Sequence, residues 1–266
     1  MWRFTPDRLA LGLSIQRAVL GIRSRTVQIE ELALHPAASL DEWLKQQPVA
    51  RKNVNITLSN ACAHHLLVPK NRAVAHYRER EGYARAMTEE AFGIDGADWQ
   101  TAADDDPFAA QFLTVAVPRK LLGGAQAALA GARATPGSAQ TFFAREWNAH
   151  RRSFGSTPCW FAVIEPDCTV LARIQRGHLA SLRTLRVPID TIGSLSQALD
   201  RESLSALLDD APRTVFVTGE ALFAQTAATQ AAATTYDERT FHRLDVVTPG
   251  AYAAVDRAQS RLLWNA

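Results

Sequence analysis

Three groups of side chains have types and spacings that could do chemistry. His64 and His65 are adjacent imidazoles, and neutral imidazole is a common metal ligand. Neighbours on a strand point to opposite faces, however, so the pair does not readily share one ion, and a structural role is the simpler reading. Asp104, Asp105 and Asp106 carry enough charge for a cation, yet three consecutive carboxylates before Pro107 describe a solvated loop. The segment from Arg145 to Arg152 interleaves basic and aromatic residues, a composition that suits a nucleic-acid surface. Glu146 dilutes that composition, and an amphipathic segment with Trp147 packed inward accounts for it more simply. No Gly-x-Ser-x-Gly elbow, P-loop, His-Glu-x-x-His or Gly-x-Gly-x-x-Gly occurs.

The elements that must position such groups are short strands and helices in alternation. Leu9 to Ile15, Ala18 to Ile22 and Thr26 to Ile29 are apolar runs separated by short polar stretches, as in a β-meander. The pattern returns half a chain later. Cys159 to Ile164, a turn at Glu165, Pro166 and Asp167, then Thr169 to Ile174, a turn over Arg176 to His178, and Leu179 to Val187 form a second meander. The recurrence suggests an internally duplicated architecture.

Between the meanders, strands are expected over Asn53 to Leu58 and His65 to Val68, and a helix over Asn71 to Phe92 that stops at Gly93. Gly96 to Pro107 reads as a loop, Phe112 to Val117 as a strand, and Arg119 to Ala132 as a helix. Pro136-Gly137 marks a connection between lobes. A helix over Ser194 to Leu208, a buried strand over Thr214 to Thr218, a helix over Ala221 to Ala232 and a short strand over Leu244 to Val247 complete the chain. This mixture defines an α/β protein of two or three layers.

Composition narrows the function classes. A 266-residue chain with 47% hydrophobic and 21% charged residues can bury two compact lobes and is not a disordered chain. A net charge of +2 and a pI near 8.5 are too mild to imply a nucleic-acid or acidic-membrane partner. Cys62, Cys159 and Cys168 have neither disulfide-framework nor zinc-site spacing and fit a reduced compartment. Gln16 and Arg17 interrupt the first apolar stretch, and no cleavage site follows, so no export signal is read. No window reaches the ~18 apolar residues of a membrane span.

Four stretches, in this order, resemble the PilM-like branch of the actin-like ATPases, which includes PilM and the cytoplasmic region of GspL. Leu11 to Gln16 is similar to that family's opening phosphate turn, and Phe112 to Leu121 to the strand and helix start of its inserted subdomain. Phe161 to Ile174 is similar to its second phosphate hairpin, and Val215 to Ala221 to its adenosine-side turn. The resemblance implies an actin-like (ribonuclease H-like) duplicated fold. It implies a first lobe over 1–136, carrying an inserted ββαβα subdomain at about 53–133, and a second lobe over 137–266.

The resemblance also locates the nucleotide contacts and their departures. Ser14 and Gln16 stand where active members have a carboxylate for hydrated magnesium and a glycine that lets the backbone approach phosphate. In the second hairpin Glu165 keeps a carboxylate, but Pro166 removes an N–H donor and the following glycine is gone. At the adenosine turn Gly219 remains, and Glu220 adds negative charge. If nucleotide binds, Ser14, Gln16, Glu165 and Gly219 are the residues that touch it.

With three nucleotide elements altered together, a pseudo-ATPase with no catalytic residues, no metal and no cofactor is expected. The implied role is a cytoplasmic scaffold or adapter of a type IV pilus or type II secretion platform. It would bind the cytoplasmic tail of an inner-membrane protein, PilN-like, and reach the membrane only through that partner. An active actin-like ATPase using Glu165 is the first alternative. A nucleic-acid-associated protein using Arg145 to Arg152 is the second, although no nucleic acid is expected from the charge.

Overall fold

The computed structural model describes residues 9–13, 18–22, 25–27, 36–46, 49–71, 74, 76–104, 109–165, 168–208, 210–219 and 233–244. In chain order the elements are β1 (Leu9–Leu13), β2 (Ala18–Ile22), β3 (Arg25–Val27), α1 (Pro36–Lys45), β4 (Asn53–Leu58), β5 (His64–Pro69) and α2 (Tyr77–Phe92). Next come β6 (Trp99–Asp104), β7 (Gln111–Pro118), α3 (Arg119–Gly131), β8 (Thr135–Thr141) and α4 (Phe142–His150). The rest are β9 (Cys159–Glu165), β10 (Cys168–Gln175), β11 (His178–Leu185), α5 (Ile192–Ser205), β12 (Thr214–Gly219), β13 (Ala233–Tyr236) and β14 (Arg239–Arg243). They divide into two compact units. One is built on residues up to Ala63 and on Val117–Arg145, the other on His64–Ala116 and Glu146–Asp245.

The first unit holds a five-stranded sheet in the order β3-β2-β1-β4-β8. β1, β2 and β3 form an antiparallel meander, while β4 runs parallel to β1 and β8 parallel to β4. The main sheet of the second unit has the order β11-β10-β9-β12-β14-β13. There β9, β10 and β11 are the antiparallel meander, β12 and β14 run parallel to β9, and β13 adds an antiparallel outer strand. The same five-strand order with the same strand senses occurs twice. That repeat is the duplicated actin-like architecture.

Burial explains why the second sheet is the most regular part. Every residue of β9 is buried, as expected for a central strand covered on both faces. On one face Trp160, Ala162 and Ile164 join Leu171, Val215, Val217 and Phe241 beneath Leu195 and Leu199 of α5. On the other, Phe161 and Phe216 lie 4.9 and 5.2 Å from Phe154, which stacks on Trp147 of α4 at 5.7 Å. Thr191 caps α5: its Oγ1 accepts from Ser194 N at 3.0 Å, and Ser194 Oγ accepts from Thr191 N at 3.2 Å.

Arg239, 8% exposed, fastens β14 to α5. Its guanidinium donates to Ser196 Oγ at 2.9 Å and to Asp200 Oδ1 at 2.7 Å. Arg239→Gln strands those acceptors and loses a charge-assisted bond. It should lower the unfolding free energy by about 2 kcal/mol, read as a drop in the urea midpoint.

Several sequence expectations differ from the fold. β4 was expected to head the inserted subdomain, but it is a central strand of the first sheet, paired with β1 and β8. The inserted sheet has the order β5-β7-β6. α3 was also expected in the insert, but it packs on α1 and follows into β8. β6 occupies part of the expected loop, because Trp99, Thr101 and Ala103 alternate inward against Gln100, Ala102 and Asp104.

The Pro136-Gly137 connection is part of β8. Its ladder with β4 shifts register there, and a side chain at Gly137 would run into the amide oxygens of Asn53 and Asn55. α1 was not anticipated, although Leu40 and Leu44 are buried at helical spacing. The last described strand is Arg239–Arg243, and the strand expected over Leu244 to Val247 lies, beyond Leu244, outside the described residues. The helix expected over Ala221 to Ala232 lies outside the described residues.

Candidate functional site

The carboxyl ends of the parallel strands are where α/β sheets place ligands. In the second unit that end is formed by Glu165 of β9 and by Thr218 and Gly219 of β12, with Gly219 opposite Ile164 in the ladder. Gly219 has φ +112°, a conformation that L side chains rarely adopt. A Cβ added there would lie 2.8 Å from the carbonyl carbon of Ile164 and 2.9 Å from its nitrogen. Glycine is required here by backbone contact.

Glu165 is 3% exposed. It shares a sheet face with Phe161 and Val163, the face that α4 covers. A second carboxylate on that face was missed by sequence reasoning. Glu146 of α4 is fully buried, its Oε2 accepts a hydrogen bond from Thr218 Oγ1 at 3.1 Å, and His150 Nε2 lies 3.5 Å from the same oxygen. The signal was in the sequence. Phe142, Phe143, Glu146, Trp147 and His150 form one helical stripe, and a glutamate inside an apolar stripe marks a buried acid.

Thr218 is adjacent to Gly219, so Glu146 holds the strand end that carries the turn. The arrangement can fix backbone geometry. Among the described residues, no three His, Cys, Asp or Glu side chains gather to hold a metal ion.

In the first unit, Ser14 and Gln16 lie outside the described residues, as do Pro166, Asp167 and Glu220 in the second. The strand ends that are described there are occupied by the start of α4. Asn60, fully buried, accepts from Phe143 N through Oδ1 at 2.8 Å, and Arg145 Nη1 donates to Thr57 Oγ1 at 2.8 Å. Arg145 is thus engaged, and Trp147 is 5% exposed. The basic and aromatic residues of Arg145 to Arg152 do not share an open surface.

The histidine pair lies on β5 with its two rings on opposite faces. His64 faces α2, stacked on Phe92 at 4.4 Å and tilted against Trp99 at 4.7 Å. Burial, and secondarily Arg186, lowers its pKa. His65 is buried, and its pKa is lowered to about 3 by burial and then by neighbouring His64. Asp104 ends β6, while Asp105 and Asp106 lie outside the described residues. The three cysteines are free and buried. No helix among the described residues is long and apolar enough to cross a membrane.

A five-strand order that occurs twice with the same strand senses defines the actin-like ATPase fold. The chain is similar to a Bacteroides thetaiotaomicron protein of actin-like ATPase fold and unknown function, with TM-score 0.57 and 10% identity over 81% of this chain and 82% of that one. It is similar to a chain of the PilM–PilN type IV pilus biogenesis complex, with TM-score 0.59 and 15% identity over 80% and 81% of the two chains. The cytoplasmic domain of EpsL, an inner-membrane component of the type II secretion system of Vibrio cholerae, matches with TM-score 0.53 and 10% identity over 98% and 95%. No protein-family model and no curated protein matches the chain. At these identities the likeness is one of fold.

Proposed function

We propose that this chain is a non-catalytic adapter of a type IV pilus or type II secretion inner-membrane platform, binding the cytoplasmic tail of a membrane partner. One observation carries the non-catalytic half. Glu165, the carboxylate that the resemblance assigns to the metal, is 3% exposed at the end of β9. Burial of that carboxylate works against its meeting a hydrated magnesium ion, which keeps several of its waters. Loss of the turn glycines, with Asp167 and Glu220 in their place, and the N–H donor that Pro166 removes support the same reading. The partner half rests on likeness to a PilM–PilN complex and to EpsL, so it is analogy from fold.

The adapter works at the cytoplasmic side of the inner membrane and reaches it through its partner. The test is fluorescence anisotropy of labelled N-terminal tail peptides from inner-membrane pilus and secretion proteins. Micromolar, saturable binding by one tail and not by its scrambled version is the expected result. A flat titration with every tail, using folded protein, sinks the adapter reading.

A further inference from the structure

The chain's small net charge conceals two opposed halves. Residues up to Ala63 and Val117–Arg145, which build the first unit, carry 12 Lys and Arg against 5 Asp and Glu. His64–Ala116 and Glu146–Asp245, which build the second, carry 15 against 21. The first is cationic and the second anionic, an asymmetry that suits an extended anionic partner.

Within the first unit the charge gathers where the chain enters β4 and β8. Arg51 N donates to Arg133 O at 2.7 Å, and Thr135 N to Lys52 O at 2.8 Å, so three cationic residues lie on adjoining backbone. All three are exposed, and none is in an ion pair among the described residues. The carboxylates among the described residues of this unit are Asp41 and Glu42 of α1, and Asp41 is held by Lys45. Arg51 and Arg133 have φ +64° and +59°, a left-handed region where glycine or asparagine costs less. The dipole of α3 favours a cation at Arg133, just past its end, but gives no reason for Arg51 and Lys52.

The chemistry of the cluster selects among anionic partners. Single-stranded nucleic acid needs aromatic faces for stacking, and a protein interface needs an apolar centre. The described residues exposed beside the cluster, Ala50, Asn53, Gly131 and Thr135, supply neither. A bilayer with anionic headgroups needs only charge, and each cation near it is worth about fivefold in affinity. We infer that the Arg51, Lys52 and Arg133 end of the first unit rests against a bilayer surface of anionic headgroups. This depends on the adapter reading for one thing, nearness to a membrane. Three cations hold a protein weakly by themselves; added to a membrane-anchored partner, they fix which face of the unit meets the bilayer.

The test is co-sedimentation of the full chain with vesicles of phosphatidylcholine and phosphatidylglycerol, mixed two parts to one, and with phosphatidylcholine alone. Saturable binding to the anionic vesicles only, weakening as salt rises toward about 0.15 M, is the expected result. Arg51→Asn, Lys52→Gln and Arg133→Asn together should weaken it about a hundredfold. Asparagine suits left-handed backbone, so this triple variant should keep its urea midpoint. Arg152→Gln, Arg176→Gln and Arg201→Gln together remove three exposed arginines of the second unit and should leave binding nearly unchanged.

No binding to the anionic vesicles at low salt, equal binding to both vesicle types, or equal losses in the two triple variants overturns the inference. Tighter binding to a DNA duplex at the same salt does so too, by making the cluster a nucleic-acid surface. Sedimentation without vesicles, lost in the first triple variant, would instead assign the cluster to a second copy of the chain and overturn it as well. The vesicle assay holds no partner tail and the anisotropy titration holds no lipid, so each reading can fail while the other stands.

Discussion

Gly219→Ala is expected to lower the unfolding free energy by about 3 kcal/mol or more, one of the larger effects available from a single methyl group in this protein. Two costs add. The residue sits at φ +112°, where a Cβ is strained, and the atoms it meets are the backbone of Ile164 in a fully buried strand. Backbone in a central strand cannot step aside as a side chain would. Gly93 provides the control, with φ +61° and nothing within 4 Å of an added Cβ. Gly93→Ala should cost only about 1 kcal/mol, the left-handed penalty alone. Urea denaturation of both variants checks the pair. Equal losses would mean that the close approach to Ile164 has no energetic weight.

Acid sensitivity is the second large effect. The folded-state pKa of His65 is lowered to about 3, from an ordinary value of 6.5, because burial penalises the imidazolium and neighbouring His64 adds to the penalty. Between those values the unfolded chain binds a proton that the folded chain refuses. Stability contributed by the neutral ring is therefore fully present above about pH 6.5 and is lost as pH falls toward 3. The slope approaches about 1.4 kcal/mol per pH unit, so about 2 kcal/mol is gone by pH 5. His65→Gln keeps a neutral polar side chain and cannot titrate. Urea midpoints at pH 7 and pH 5 should differ much less in that variant than in the parent. An unchanged difference would assign the acid loss to other groups.

How legible the fold was depended on whether each element carried its own signal. β9 and β10 were readable because both faces of the central strands are covered, so they appear as unbroken apolar runs. β6 was not, since it is a small-residue edge strand whose inward positions are Trp99, Thr101 and Ala103. β8 carries Pro136 and Gly137, which signal a connection; only the amides of Asn53 and Asn55, more than 80 positions away in the chain, show that they form a bulge. β4 and β5 are both short apolar runs close in sequence, and nothing local says that one pairs with β1 and the other with β7. Partner choice in sheets is non-local.

The candidate site divided in the same way. Gly219 was named from the resemblance, and its geometry explains why a glycine stands there. Glu146 was dismissed as a charge diluting a basic segment, because Arg145, Arg151 and Arg152 drew attention away from the apolar stripe in which it lies. Its role depends on Thr218, 72 positions away, and no sequence spacing announces that bond.

The central claim is that this actin-like fold has given up nucleotide chemistry. Calorimetric titration of the folded protein with Mg-ATP, and in parallel with Mg-ADP, tests it most directly. The account predicts no detectable heat at millimolar nucleotide. Saturable micromolar binding would contradict it, restore the ATPase reading, and make Glu165→Gln the next variant to assay for hydrolysis.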